Sequence, residues 1–84
     1  MSGQGIRRVE TGMWAKVRGS QLGHDAFEEV FHFVSSEQVN LAQNRVSIKG
    51  PLGRVLSGAK AGDKAQLETD KGTIDLMVLE LGRG

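Results

Sequence analysis

The stretch VSIKGPLGRVLSGAKAGD, residues 46–63, changes periodicity within a few residues and decides how the chain is read. Val46 and Ile48 alternate with Arg45, Ser47 and Lys49, the period-2 pattern of a short strand with one face covered. Gly50 and Pro51 end that strand. Proline carries no amide hydrogen and has φ fixed near the helical value, so Pro51 predicts the first turn of a helix. Leu52, Val55 and Leu56 fall at i, i+3 and i+4 and form one apolar stripe, while Gly58 stands where a left-handed C-terminal glycine belongs. The helix therefore has two turns, and Gly62-Asp63 turns the chain away from it.

Downstream, Ala65 to Thr69 reads as a strand, and Asp70-Lys71-Gly72 reads as a type I turn with Gly72 in the left-handed position of a hairpin. Thr73 to Leu81 is apolar at Ile74, Leu76, Met77, Val78, Leu79 and Leu81, which predicts a central strand covered on both faces. Upstream, Met13, Ala15 and Val17 alternate with Trp14, Lys16 and Arg18, a half-buried strand followed by a loop over residues 19–23. Asp25 to Ser35 fits two templates. Ala26, Phe27, Val30, Phe31 and Val34 match a helical stripe, with Asp25 as N-cap and Glu28 at the capping-box position. The dense β-branched and aromatic run from Val30 to Val34 suits a pleated surface better, and the strand is the reading adopted. Ser35 to Gln43 is a polar connection with room for one helical turn. Residues 1–11 are expected to be a flexible N-terminal tail, 12–81 the folded domain and 82–84 a C-terminal tail.

The totals narrow the function. Eighty-four residues suffice for one core. Eleven Lys and Arg against ten Asp and Glu give a formal charge of +1, too small a field to steer nucleic acid or anionic lipid. A partner is then recognised by shape. No cysteine is present, which removes disulfides and thiolate metal sites and suits a reducing cytoplasm. No apolar run reaches the about 18 residues that a bilayer span requires, and residues 1–5 carry no signal-peptide core.

Catalytic and metal motifs are weak. His24 and His32 lie near Asp25, Glu28 and Glu29, but no HxxxH or HExxH pair occurs; no metal or cofactor is expected. Ser20, Ser35, Ser36, Ser47 and Ser57 have no Gly-x-Ser-x-Gly elbow or triad order. Gly50-Pro-Leu-Gly53 opens a helix without the length or the Gly-Lys-Ser ending of a phosphate loop. Trp14, Phe27, Phe31 and Phe33 would stack bases only if exposed, and core packing is the default for them.

The block from Val46 to Gly58, followed by Gly62-Asp63 and the Gly72 hairpin, resembles the C-terminal domain of the GreA/GreB transcript-cleavage factors and of the related nucleoside diphosphate kinase regulator. The similarity covers residues 12–81. The resemblance implies an α+β, FKBP-like fold: an antiparallel five-stranded sheet with one short helix across one face. It implies docking on RNA polymerase at the rim of the secondary channel, against a coiled coil of the β′ subunit, with no direct sequence-specific contact to nucleic acid. The family's docking loop maps onto Lys49, Gly50, Pro51 and Arg54. Gly50 replaces the family serine, and the cation Lys49 stands where a polar or acidic side chain is common. The family's acidic-tipped α-hairpin, which reaches the polymerase active site, has no counterpart before Thr11, because such an arm needs several tens of residues. The expectation is a cytoplasmic binding module, not an enzyme.

Turn chemistry alone also accounts for Gly50-Pro51, and a solvated flank position also accounts for Arg54. Two alternatives accompany the docking reading: the C-terminal part of a longer Gre-type factor, or an FKBP-type peptidyl-prolyl isomerase. The second needs an aromatic cup around the substrate proline, yet the helix offers Val55 and Leu56 and the chain has no tyrosine.

Overall fold

A computed structural model describes residues 7–83. Five strands form one curled sheet: β1 (Met13–Ser20), β2 (Phe27–Val34), β3 (Arg45–Ser47), β4 (Lys64–Thr69) and β5 (Gly72–Arg83), in the order β3-β2-β1-β5-β4. One helix, α1 (Pro51–Leu56), joins β3 to β4. Two 3₁₀ turns, Ser36–Gln38 and Leu41–Gln43, occupy the polar connection that has room for one helical turn. The ambiguous segment is a strand, as its β-branched and aromatic content requires.

The sheet is mixed, which corrects the antiparallel expectation. β2 and β3 run parallel, with His32 opposite Arg45 and Val34 opposite Ser47. The connection through the two 3₁₀ turns carries the chain back alongside β2 before β3 starts. Asn44 makes the final reversal in the left-handed conformation, φ 57°, and its side-chain amide donates to Glu29 Oε1 at 3.0 Å and to the Val30 carbonyl at 3.2 Å. Period-2 patterning fixes which face a strand buries, not its direction, so nothing in Val46 and Ile48 could reveal this.

The core lies between α1 and one face of the sheet, where Ala15, Val17, Phe33, Leu56, Leu76 and Val78 are buried. Val9 is buried with them, and its amide donates to the Ala59 carbonyl while its own carbonyl accepts from Gly58. The folded part therefore starts earlier than residue 12, and β5 carries it on through Gly82 and Arg83. The reading of β5 as a strand covered on both faces also needs correcting. Leu76 and Val78 face the core, whereas Asp75 and Glu80 on the other side are exposed. A bulge explains the continuous apolar run: Val17 pairs with Val78 but Lys16 with Glu80, so Leu79 is the extra residue and Leu81 returns to the core side opposite Ala15.

Candidate functional site

The corner between β3 and α1 is built from short-range hydrogen bonds. The Gly50 amide donates to the Ser47 carbonyl at 3.0 Å, closing a four-residue turn, and the Lys49 amide donates to Ser47 Oγ at 3.1 Å. Ser47 thus shapes the turn from its first position, as serine hydroxyls do when they accept from the amide two residues on. Gly50 is extended at φ −78°, ψ 180°, and gives the helix no side-chain cap. Its carbonyl accepts from the Arg54 amide at 2.9 Å, the first helical bond, and Pro51 occupies the first turn.

Arg54 then folds back over this start. Its Nε donates to the Lys49 carbonyl at 3.1 Å, so the guanidinium lies across the turn that carries Lys49. The structure places all four sequence-predicted residues, Lys49, Gly50, Pro51 and Arg54, at one corner; Lys49, Pro51 and Arg54 are exposed and Gly50 is half-buried. Gly53 on the inner side of α1 is fully buried against the backbone of Ile48. A shallow groove beside the corner is lined by Thr11, Ser36, Glu37, Ile48 and Lys49. Sequence reasoning missed the turn-forming role of Ser47, which it placed on the strand and weighed as a nucleophile; the signal was its position two residues before the Lys49 amide.

The corner is held from behind. Leu56 is completely buried and Leu52 and Val55 pack partly against the core, so α1 cannot rotate without exposing its stripe. At the other end of the helix Gly58 takes φ +80°, the left-handed cap the sequence predicts, and Arg8 Nη1 donates to its carbonyl at 3.0 Å.

The remaining candidates are dispersed. His24 is exposed in the β1–β2 loop and His32 sits half-buried opposite Trp14; among the described residues no three His, Asp or Glu side chains gather to hold a metal. Phe33 is buried, Phe31 packs against the core, Phe27 lies over Gly19 and Trp14 over Gly82. Phe27 keeps 40% exposure, but it and Trp14 stand at opposite ends of β1 and form no continuous stacking platform. A larger concavity on the opposite face of the sheet is lined by Arg18, Ser20, Lys64, Gln66, Asp75 and Met77. It follows from the curl of β1, β5 and β4, and along its wall Gln66 Nε2 donates to its cross-strand neighbour Asp75 at 3.0 Å. Arg18 is engaged with Glu28 at 3.2 Å, and the residues singled out from the sequence lie instead at the β3–α1 corner.

A model of the family described as transcription elongation factor, GreA/GreB, C-term matches residues 6–83. Transcription elongation factor GreA of Streptococcus pneumoniae serotype 19F is 32% identical over 76 residues, 90% of this chain and 47% of that protein. GreA of Amoebophilus asiaticus is 32% identical over 66 residues, 79% of this chain and 40% of that protein. The chain spans less than half the length of these relatives. Among solved structures, Thermus aquaticus Gfh1 superposes with a TM-score of 0.77 at 22% identity, covering 96% of this chain and 51% of that one. The GreA factor homolog 1 (Gfh1) of Thermus thermophilus gives 0.72 at 20% identity, covering 98% and 53%. These two likenesses establish a shared fold.

Proposed function

The chain belongs to the GreA/GreB C-terminal domain family, and from that premise we propose that it is a docking module for RNA polymerase. The contact runs through the β3–α1 corner, with Lys49, Gly50, Pro51 and Arg54 against the β′ coiled coil at the rim of the secondary channel. The observation that carries this reading is the family match over residues 6–83, which includes the whole corner. The geometry is compatible with it. The turn is held by its own hydrogen bonds and exposes Lys49, Pro51 and Arg54, which lowers the ordering cost of docking. An FKBP-like description of the fold and a cytoplasmic setting form part of the same reading.

These residues are read as contributing attachment, not chemistry. Among the described residues the single α-helix has six residues, about 9 Å at 1.5 Å per residue, far too short to cross a channel. The isomerase alternative finds no supporting geometry: the helix turns Leu52, Val55 and Leu56 to the core and presents no aromatic cup.

A pull-down with core RNA polymerase tests the proposal. The purified chain should be retained, Pro51→Ala should reduce retention, and transcript cleavage in a stalled complex should stay at its basal rate. Absence of retention at high micromolar concentration would remove the docking function. Accelerated cleavage by the chain alone would remove the attachment-only part.

A further inference from the structure

The formal charge of +1 conceals a segregation along the chain. Between Glu37 and Asp63 there is no carboxylate, while Arg45, Lys49, Arg54 and Lys60 all fall in that window. At the opposite end of the sheet stand Asp25 before β2, Glu68 near the end of β4 and Asp70 in the β4–β5 turn, while Glu10 and Glu37 remain on the corner's side. That end is one surface, because Gln21 Nε2 donates to the Lys71 carbonyl at 2.7 Å and ties the two loops together.

The cations in the window differ in their surroundings. Lys60 meets Asp63 at 3.8 Å, and Arg45 lies opposite His32 on the far side of the sheet. Lys49 and Arg54 are both exposed at the corner and, among the described residues, neither forms an ion pair, although Glu37 lines the groove beside Lys49. Lys16, Arg18 and Arg83 each meet a carboxylate, whereas Arg7, Arg8, Arg45, Lys64 and Lys71 share with the corner pair the lack of an ion pair among the described residues. The corner is set apart by the hydrogen bond that joins two such cations, Arg54 Nε to the Lys49 carbonyl. Arg54 is also pre-oriented: with Nε fixed on the Lys49 carbonyl, its two terminal nitrogens remain for a planar acceptor such as a carboxylate.

We infer that the Lys49–Arg54 corner takes a carboxylate-bearing protein surface, so that the partner element facing it is acidic. Identifying that element with polymerase rests on the proposal above; the acidic chemistry rests on the charges alone. A nucleic-acid backbone fits less well. Two adjacent cations would release few counterions, and no aromatic ring stands at the corner to stack a base.

Two titrations of the full chain separate the possibilities. In the first, amide resonances are followed as a short polyglutamate peptide is added. Shifts should centre on residues 47–55, shrink as salt rises, and weaken about tenfold in affinity in Lys49→Glu combined with Arg54→Glu, while Lys71→Glu leaves them unchanged. Shifts spread evenly over Lys16, Arg18 and Lys71, or an equal response to polylysine, would overturn the inference. A short RNA binding the same residues more tightly than the peptide would overturn the protein assignment. In the second, core polymerase is presented to the wild type and to the doubly reversed chain. Selective loss with the reversed chain supports the inference. No retention of either, with the peptide response intact, would refute the polymerase reading and leave the acidic partner standing.

Discussion

Gly53 packs its bare Cα against the backbone of Ile48, so closely that a β-carbon at position 53 would overlap the Ile48 carbonyl. The contact lets α1 lie directly on the turn that leads into it. Two effects compete in Gly53→Ala. Alanine favours a helix over glycine by about 1 kcal/mol. Overlap with backbone atoms cannot be relieved by a side-chain rotation, and overpacking of this kind costs about 1–3 kcal/mol. The overlap should win. Chemical denaturation should show a less stable protein, and any gain in stability would mean that α1 does not rest on Ile48.

The same pair shows how far the sequence could be read. The helix start at Pro51, the stripe of Leu52, Val55 and Leu56 and the cap at Gly58 follow from local chemistry, and all are present. So are the strands of the β4–β5 hairpin. Gly53 had no local signal, because its requirement comes from Ile48 across the turn. Direction and phase failed for a similar reason. The parallel pairing of β3 depends on where Asn44 aims the chain, and the two-sided look of β5 came from a bulge opposite Lys16 and Val17. Val9 was lost to a tail because one apolar residue between Arg8 and Glu10 has no period. At the corner, the sequence grouped Lys49, Gly50, Pro51 and Arg54; the Arg54 side chain bonded to the Lys49 carbonyl depends on three-dimensional folding back and left no trace in spacing.

Asn44 combines a left-handed backbone with two side-chain hydrogen bonds, and the two contributions can be separated by substitution. Asn44→Gly keeps the conformation and loses the bonds, at a cost of about 1 kcal/mol or less for exposed hydrogen bonds. Asn44→Ala loses the bonds and adds about 1–2 kcal/mol for a β-carbon in the left-handed region. Thermal unfolding should rank wild type above glycine and glycine above alanine. Alanine equal to glycine would show that the reversal into β3 does not need positive φ.

Trp14, the chain's single tryptophan, covers Gly82 from the neighbouring strand. Gly82 has no positive φ, so its backbone would accept any residue, and the indole is what excludes a side chain. Gly82→Val should push the ring outward, shift its fluorescence to the red and raise its accessibility to a soluble quencher. Stability should fall by about 1–3 kcal/mol, the usual range for overpacking. An unchanged emission maximum would contradict the stacked arrangement.

Glu28 sits between Lys16 at 3.7 Å and Arg18 at 3.2 Å, the densest charge cluster among the described residues, and Leu56 carries the apolar face of α1 into the core. The comparison decides which kind of interaction carries the fold. All three charged side chains are about half solvated, with 40–52% of their surface exposed, and exposed ion pairs contribute about 0–1 kcal/mol. Leu56 has no exposed surface, and truncating a buried leucine to alanine costs about 2–5 kcal/mol in lost transfer energy and cavity formation. Glu28→Gln should therefore move the denaturation midpoint little, and the small effect should vanish at high salt. Leu56→Ala should leave the domain marginally folded or unfolded and should loosen the β3–α1 corner with it, since α1 is what holds Pro51 and Arg54 in place. Equal losses from the two substitutions would mean that the outer face of the sheet, not the layer under the helix, supplies the stability on which the corner depends.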